Sequence, residues 1–399
     1  MAMKFLKNTF IVFGLFLLIW STNAYIIFGN TAKLLSLYSG FLLLLCIPLF
    51  KRKFNLNDGY FFLKTTFFYF TYFIISVLQS QSIDETGLIF GFICYSLFLI
   101  GYYIGNHRII EIKMQNSSIV MLNLLIILGS FIFLKTQTVT FIVSRVSTRG
   151  LGDSILNPNG VAFSQSLLFI FLFWMLFQQN NRYKYLSYIS LVSVLLIILT
   201  TSARGATLSL FIVSLIFYFK SIKSQKNKIS NLFRLLFKIV FLIGIFVFLS
   251  RNVPLIYSKL EVMTERFLSL FQFFLENEQD ISVSERSIVY DEFFNNLGDY
   301  LFGKYKYLDY PHNIFLEIFM RWGIFGLPLI FLLIKNLFKS IKNITNENLK
   351  GNNSLLFLFS ALFLFSFLQS LTSLNLEMNR SLWISLGFLM GFRMSKKIV

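Results

Sequence analysis

Long apolar runs recur along the whole chain, and they constrain its fold more than any other feature. Twelve such runs can be distinguished in the 399 residues. A continuous apolar run is typical of a helix that crosses a bilayer, since about 20 helical residues span the hydrocarbon core. A porin-like barrel is excluded, because its strands alternate apolar and polar residues. The runs cover residues 10–28, 34–50, 60–79, 87–104, 118–134, 161–178, 186–202, 205–219, 235–250, 313–334, 354–371 and 381–393.

The charge distribution indicates how these runs are oriented. The formal net charge is +18, but the basic residues cluster between the runs. If the N-terminus is cytoplasmic, the clusters at 51–53, 220–234 and 335–350 all lie on the cytoplasmic side. This pattern follows the positive-inside rule, so it predicts that both termini are cytoplasmic and that the chain has no nucleic-acid partner. Because the chain has only two His and both Cys lie inside apolar runs, we predict no metal site and no cofactor.

Two connections on the predicted outer side are long, at 135–159 and 251–312. In the longer one, residues 255–275 have apolar side chains at helical spacing, which suits a helix on the membrane surface, and a second short helix is expected over 286–297. A structured outer loop indicates a task at the outer face. The chain therefore divides into helices 1–9 in residues 1–250, a large outer loop with short helices in 251–312, and helices 10–12 in 313–399.

Arg204 lies at the tip between the seventh and eighth apolar runs. Those runs share only residues 186–219, which is short for two full crossings of about 20 residues each. The tip is therefore expected at or below the membrane surface. Two interpretations are open: Arg204 extends to lipid phosphates as an anchor, or its guanidinium forms a cationic floor for a lipid-linked diphosphate.

A second polar segment stands where the large outer loop meets the tenth run. His312 is the only His on the predicted outer side, and Asn313, Glu317 and Arg321 follow at four-residue steps. These three residues are expected to share one helix face, with Glu317 and Arg321 paired inside the span. By itself, His312 is compatible with a structural residue as well as with a catalytic base.

Together these segments resemble the O-antigen polymerase and ligase superfamily (Wzy and WaaL), which are bacterial membrane glycosyltransferases. The resemblance covers most of the chain, because the family also has twelve spans with both ends inside and a large outer loop in the later part of the sequence. Ala203 stands where the family usually has Ser before the Arg-Gly pair. The segments that carry the resemblance are Thr201-Ser-Ala-Arg-Gly205, Glu285-Arg286-Ser-Ile-Val-Tyr290 with Leu301-Phe-Gly303, His312-Asn313 followed by Gly323 and Gly326, and Asn157-Pro-Asn-Gly160.

The resemblance implies transfer of a glycan from an undecaprenyl-diphosphate donor at the outer face of the bacterial cytoplasmic (inner) membrane. It assigns His312, Arg286 and Arg204 to catalysis, His312 as the base or as a group that positions the acceptor, and the arginines as ligands of the diphosphate. Gly323 and Gly326 are expected to let another helix approach closely. Further residues expected to contact substrate are Arg145, Arg149, Asn313 and Glu317, although an exposed pair such as Arg145 and Arg149 is also compatible with simple solvation.

The reaction class leaves alternatives open. A polymerase of O-antigen or capsular repeats is preferred, a ligase that transfers the glycan to lipid A core is the first alternative, and a polysaccharide flippase is the second. The expected partners are an undecaprenyl-diphosphate-linked glycan, an acceptor glycan or lipid A core, membrane lipids, and a chain-length regulator. A flippase should carry its charges in a central cavity, whereas the unusual residues here gather on the predicted outer side.

Overall fold

The computed structural model describes residues 2–28, 30–46, 56–79, 85–106, 116–147, 158–178, 183–201, 203–223, 281–303, 311–345, 354–373, 375–376 and 379–396. Within these ranges the chain consists of helices and short connections and contains no β-strand, which confirms the all-α prediction for this part of the chain.

The helices follow the apolar runs closely. Eleven of the twelve predicted spans overlap helices, the tenth being divided between two of them, and the ninth, 235–250, lies outside the described residues. The first eight helices are α1 (Ala2–Phe28), α2 (Asn30–Leu45), α3 (Leu56–Gln79), α4 (Glu85–Asn106), α5 (Asn116–Ser147), α6 (Pro158–Gln178), α7 (Lys184–Thr200) and α8 (Arg204–Lys223). The remainder are α9 (Ile281–Asn295), α10 (Ile314–Trp322), α11 (Leu327–Thr345), α12 (Ser354–Ser370) and α13 (Arg380–Lys396), with 3-10 helices at Leu297–Tyr300 and Gly323–Gly326.

Two stretches within the described part are long and apolar enough to cross a bilayer by length and composition. They are Asn159–Leu176, in α6, and Ile314–Ile344, which runs through α10 and α11. Eight further apolar stretches are helical but shorter, between 10 and 17 residues. The number of membrane crossings therefore remains a prediction.

α12 is the central helix of the bundle. Every residue from Leu355 to Phe367 is buried, on all sides of the helix. A helix that is apolar all round needs neighbours on every side. The neighbours of α12 include α6, α8, α11 and α13, and its rings stack on theirs, as in the pair Phe359–Phe388 with centroids 4.2 Å apart.

The closest helix pair is formed by α4 and α13, through small residues four positions apart on each helix. Gly101 and Gly105 of α4 face the backbone of α13, while Gly387 and Gly391 of α13 face the backbone of α4. A Cβ at any of the four would overlap the opposite main chain. Such small-xxx-small contacts are typical of helix pairs in membranes, where close backbone packing replaces the hydrophobic effect.

Two expected boundaries were wrong. α5 continues 13 residues beyond its predicted end at 134 and ends at Ser147, because no Gly or Pro interrupts the chain between Gly129 and Gly150. At 32 residues it is about 48 Å long, more than a bilayer core requires. The expected surface helix over 255–275 lies outside the described residues, and the helix expected over 286–297 is α9, which begins five residues earlier.

The tenth predicted span is not one continuous helix. It breaks at Gly323, whose backbone is left-handed with φ +54°. There the main chain turns against the carbonyl of Leu301, so a Cβ would have no room, and Ile324 N–H donates to the same carbonyl at 2.9 Å. Gly326 packs on Ile318 of α10. The expectation that these glycines let another helix approach was wrong for Gly323, which faces the outer loop at Leu301, whereas Gly326 does face the backbone of another helix, α10.

Candidate functional site

Arg204 is the first residue of α8 and is half-buried. The preceding helix, α7, has 17 residues and is about 26 Å long, which is shorter than the bilayer core of about 30 Å. This length agrees with the expectation that the tip lies at or below the surface of a membrane. It leaves open whether lipid or substrate takes the guanidinium.

Small residues fix the backbone around this arginine. Ala203 and Ala206 form a buried cluster with Ala162 near the start of α6. On the other side, a Cβ on Gly205 would lie 2.7 Å from the Oγ1 of Thr372, just beyond the end of α12. Larger side chains at these positions would push the tip away from α6 and α12, so the Ala-Arg-Gly sequence holds the base of the arginine in place.

His312 and Asn313 form a tight turn before α10. His312 has φ +51° and is the only non-glycine residue of the described ranges with a positive φ. Asn313 is extended and caps the helix, because its Oδ1 accepts from the N–H groups of Phe315 at 2.9 Å and Leu316 at 3.4 Å. Left-handed backbone is costly for a residue with a Cβ and is concentrated at functional sites. The turn thus sets the direction of the imidazole at the head of α10.

Asn313 was expected on one helix face with Glu317 and Arg321, and this expectation was wrong. It stands before the helix, and its oxygen is occupied by the cap. An asparagine at this position stabilises the helix, because the first four N–H groups lack partners within it and the side-chain oxygen of Asn313 accepts from two of them. A role for Asn313 in binding substrate therefore rests on its amide nitrogen alone.

The expected pair of Glu317 and Arg321 is confirmed. Their side chains form a buried ion pair with 2.7 Å between Oε1 and Nη2, and Glu317 is fully buried. The second carboxylate oxygen accepts from the backbone N–H of Leu376 at 3.0 Å. Because both carboxylate oxygens are engaged, Glu317 holds the chain between α12 and α13 against α10, and its contact with substrate stays a prediction.

The connection between α12 and α13 brings these elements together. At its start it contacts Gly205 of α8, and further along Leu376 binds Glu317 of α10. The rings of Phe315 and Phe367 meet edge to face at 5.7 Å, which fixes the start of α10 beside the last turns of α12. The Arg204 tip and the His312 turn thus flank the same end of the central helix, although 107 residues separate them in the numbering.

The outer loop is attached to α10 by aromatic packing. Phe293 of α9 and Tyr300 form a buried cluster with Met320 of α10. The ring centroids of Phe293 and Tyr300 lie 5.1 Å apart. Arg286 is half-buried and lies two helical turns before Phe293 on α9. The contacts that attach α9 are made by Phe293 and Tyr300, so a joint grip of Arg286 and Arg204 on one diphosphate stays a prediction.

Two arginines, Arg145 and Arg149, were expected in the other outer loop, and the structure describes only the first of them. Arg145 was expected in a loop but lies in the last turn of α5, because that helix continues to Ser147. Arg149 lies outside the described residues. Their contact with glycan or phosphate therefore stays a prediction.

Sequence reasoning missed a second group of cations at the end of the bundle where α13 begins. Arg380 is the first residue of α13, and its positive charge interacts with Lys33 and Tyr38 of α2 and with Cys94 of α4. Both basic residues stand immediately before a predicted span on the outer side, which is the signal that could have found them. Nothing else in the sequence links them, because they belong to the second and the last helix.

Within the described residues, no three His, Cys, Asp or Glu side chains come close enough to hold a metal ion. The comparisons with known proteins found no match for this chain, whether among family models, curated proteins or solved structures.

Proposed function

We propose that this chain is a polytopic glycosyltransferase of the bacterial cytoplasmic membrane. It polymerises undecaprenyl-diphosphate-linked oligosaccharide repeats at the outer face. The observation that supports the proposal is that the Arg204 tip and the start of α10 both pack at the same end of α12, where Gly205 faces Thr372 and Phe315 packs on Phe367. A cation suited to phosphate and a base suited to a hydroxyl group are the two groups that this reaction requires.

In the proposed reaction the acceptor hydroxyl attacks the anomeric carbon of the donor glycan. The new carbon–oxygen bond forms as the bond from that carbon to the diphosphate breaks, and undecaprenyl diphosphate leaves. His312 takes the hydroxyl proton, because the unprotonated nitrogen of a neutral imidazole can accept it. Arg204 neutralises the charge that develops on the leaving diphosphate, with bidentate contacts to its oxygens.

The surrounding residues supply positioning rather than chemistry. Asn313 fixes the turn that carries the imidazole, and the Glu317–Arg321 pair holds α10 against the α12–α13 connection. A base displaced by even about 1 Å loses much of its rate advantage. The buried ion pair therefore supports turnover through the geometry of His312.

The orientation of the helices at this end supports an outer site. α8, α10 and α13 begin here and α12 ends here, and the charge pattern predicts that all four of these ends lie outside. Reporter fusions at residues 150 and 300 should give periplasmic signals, and fusions at 228 and 348 should give cytoplasmic ones. A cytoplasmic signal at 300 would put the proposed site on the wrong face and refute it.

The decisive experiment is transfer in vitro with the purified full chain and defined lipid-linked repeats, with and without lipid A core. A ladder of products on undecaprenyl diphosphate supports the polymerase. Product on lipid A core alone would make the chain a ligase. Movement of the lipid-linked repeat across proteoliposomes, without any new glycosidic bond, would make it a flippase and refute both enzymatic assignments.

A further inference from the structure

Gln369, in the last turn of α12, carries a buried amide whose Oε1 has no hydrogen-bond partner among the residues that the structure describes. The side chain is 1% exposed. The backbone carbonyl of the same residue is well paired, because it accepts from Thr372 N–H and Oγ1, each at 3.1 Å, and from Ser373 N–H at 2.9 Å. A buried oxygen without a partner is costly and rare in native proteins, so this amide calls for an explanation.

Neighbouring polar side chains at this end of α12 are paired with one another. Ser366 and Ser381 share a hydrogen bond of 2.6 Å, and Ser370 donates to the carbonyl of Ser366 at 2.8 Å. The Nδ2 of Asn379 donates to the same carbonyl at 2.9 Å and to the hydroxyl of Ser370. These bonds hold the end of α12 to the start of α13. The amide of Gln369 is not among them, so it needs a different role.

The amide lies against the tip that carries Arg204. Its Nε2 is 3.7 Å from the position that a Cβ on Gly205 would take, and Gly205 directly follows Arg204. Because glycine has no side chain, nothing of that residue separates the amide from the main chain of the tip. The amide of Gln369 and the base of the arginine proposed to hold the diphosphate are therefore neighbours.

The position of Gln369 on α12 separates it from the His312 turn. Phe365, four residues earlier on the same face, stacks on Phe163 of α6 with ring centroids 5.6 Å apart. Phe367, whose ring packs on α10, is two residues from Gln369 and so projects from nearly the opposite side of the helix. The amide therefore faces the corner between α6, α8 and α12, which is the side of the diphosphate in the proposed reaction.

The start of α6 leaves room at this corner. In the described part of the chain, nothing lies within 4 Å of the position that a Cβ on Gly160 would take. Gly160 precedes Phe163 by three residues, so both lie on the side of α6 that packs on α12. Since the start of α6 and the end of α12 both adjoin the start of α8, Gly160 and Gln369 lie at the same end of the corner.

The chemistry of an amide limits what can pair with Gln369. Its oxygen accepts hydrogen bonds and cannot donate them, whereas a diphosphate at neutral pH offers only acceptors. The hydroxyl and acetamido N–H groups of a sugar can donate to this oxygen. In a sugar attached to a diphosphate, the first such group stands on carbon 2, next to the anomeric carbon. Hydrogen bonds to that position strengthen as the glycosidic bond breaks, so they contribute to the rate as well as to affinity.

We infer that Gln369 binds the hydroxyl or acetamido N–H group on carbon 2 of the sugar attached to the diphosphate of the glycan donor, and thereby selects the glycan. This inference rests on the proposed function, in which Arg204 holds the diphosphate of the same molecule. Every lipid-linked glycan carries that diphosphate, so the arginine alone cannot distinguish one glycan from another. The buried amide can, because a sugar that lacks the group on carbon 2 leaves the amide oxygen unpaired.

The test measures the binding of four lipids to the purified full chain in phosphatidylcholine nanodiscs, by native mass spectrometry. They are undecaprenyl diphosphate alone and the same lipid carrying N-acetylglucosamine, glucose or 2-deoxyglucose. The wild type should bind the N-acetylglucosamine or the glucose lipid about 5- to 100-fold more tightly than the 2-deoxyglucose lipid. A preference for N-acetylglucosamine identifies the N–H group as the partner, and a preference for glucose identifies the hydroxyl.

Gln369→Met removes the amide and keeps the length of the side chain. It should bind the three sugar lipids equally and bind undecaprenyl diphosphate alone as the wild type does, which also shows that the variant is folded. Arg204→Gln should weaken all four lipids. The matched control is Asn336→Leu, which removes a buried amide in the middle of α11 that donates to the carbonyl of Leu332 at 2.8 Å, and it should change none of the four affinities. Gly160→Leu should fill the room at the start of α6 and weaken only the sugar lipids.

Thermal unfolding of the ligand-free chain gives a readout that does not depend on the lipids. Gln369→Met should keep or raise the thermal midpoint, because it breaks no hydrogen bond of the amide oxygen. Asn123→Leu should lower the midpoint, since the buried Oδ1 of Asn123 accepts from the Ser190 hydroxyl at 2.8 Å. A fall in Gln369→Met as large as that in Asn123→Leu would make the amide a structural element and overturn the inference.

The remaining outcomes separate this inference from the proposed function. A wild type that binds the three sugar lipids equally, or a Gln369→Met variant that keeps the wild-type preference, overturns the inference. If glycan transfer proceeds equally well from donors with and without the group on carbon 2, the sugar contact is refuted and the polymerase stands. A preference that Gln369→Met abolishes, found in a chain that transfers no glycan, would keep the sugar contact and refute the enzymatic function.

Discussion

Replacing Glu317 by glutamine removes one charge from the buried pair while keeping the size of the side chain. The Arg321 guanidinium, now 2.7 Å from the carboxylate, would remain buried beside an amide. Glutamine can still accept from Leu376 N–H through its oxygen, but its NH2 group then faces the Arg321 guanidinium, so the change removes both the charge and the hydrogen bond of the pair. The perturbation therefore tests whether this ion pair stabilises the packing of α10 against the α12–α13 connection.

The expected magnitude follows from burial. Removing one partner of a buried ion pair costs about 3–5 kcal/mol, because the other charge stays without compensation. Glu317 is fully buried and Arg321 nearly so, so we expect Glu317→Gln to lose an amount in this range, more than about 100-fold in the folding equilibrium. Combining it with Arg321→Met removes both charges. The double variant should lie within about 1 kcal/mol of the wild type, since replacing a buried pair by neutral groups is often close to neutral.

Equilibrium unfolding in mixed detergent micelles, followed by circular dichroism, measures these free energies. Glu292→Gln is the matched control, because this glutamate is exposed on α9, and it should change stability by less than about 0.5 kcal/mol. If Glu317→Gln behaves like Glu292→Gln, or if the losses of the two single variants simply add in the double variant, the pair does not stabilise the bundle and the argument fails.

Three further predictions concern the chemistry and the bundle. His312→Ala should lower turnover about 10²–10⁴-fold in the transfer assay with donor binding intact, and near-normal turnover would reduce the imidazole to a structural part of the turn. Arg204→Ala should abolish transfer at normal protein level, and Arg204→Lys should restore little of it, since an ammonium lacks the planar fork; full activity of the alanine variant would make Arg204 a lipid anchor. Gly387→Ala should lower the thermal midpoint and folded yield because its Cβ meets the backbone of α4, whereas Gly59→Ala, with open space around it, should not; equal effects would refute the close packing of α4 and α13.

The helices could be predicted from the sequence because a continuous apolar run needs no tertiary information. In the described part every apolar run contains helix, in the predicted order, and one run, the tenth, is divided between two helices, α10 and α11. The break at Gly323 could not be predicted in this way, since the pattern is equally apolar on both sides. It depends on the carbonyl of Leu301, which the outer loop brings to that position.

The candidate site divides in the same way. The Glu317–Arg321 pair could be predicted because four-residue spacing on a helix is a local property. The bond from Leu376 to Glu317 could not, because it spans 59 residues and involves a backbone N–H that no side-chain pattern marks. The group of Arg380 and Lys33 was missed for a related reason, since each residue alone has the position of an ordinary basic residue beside a span.

The connection between α12 and α13 explains how residues from distant parts of the chain can serve one site. It carries no motif, yet its backbone binds Glu317 through Leu376 N–H, and Trp383 binds the carbonyl of the same residue. Both hydrogen bonds use main-chain groups, so they tolerate changes in the side chains of the connection. Its geometry is set instead by what surrounds it: the cap of Asn379 on α13, the buried carboxylate on α10, and the glycine of the Arg204 tip. Substitutions of Asn379, Glu317 or Gly205 should therefore move the Arg204 tip and the start of α13 relative to α10, whereas a change of the Leu376 side chain leaves both main-chain hydrogen bonds possible.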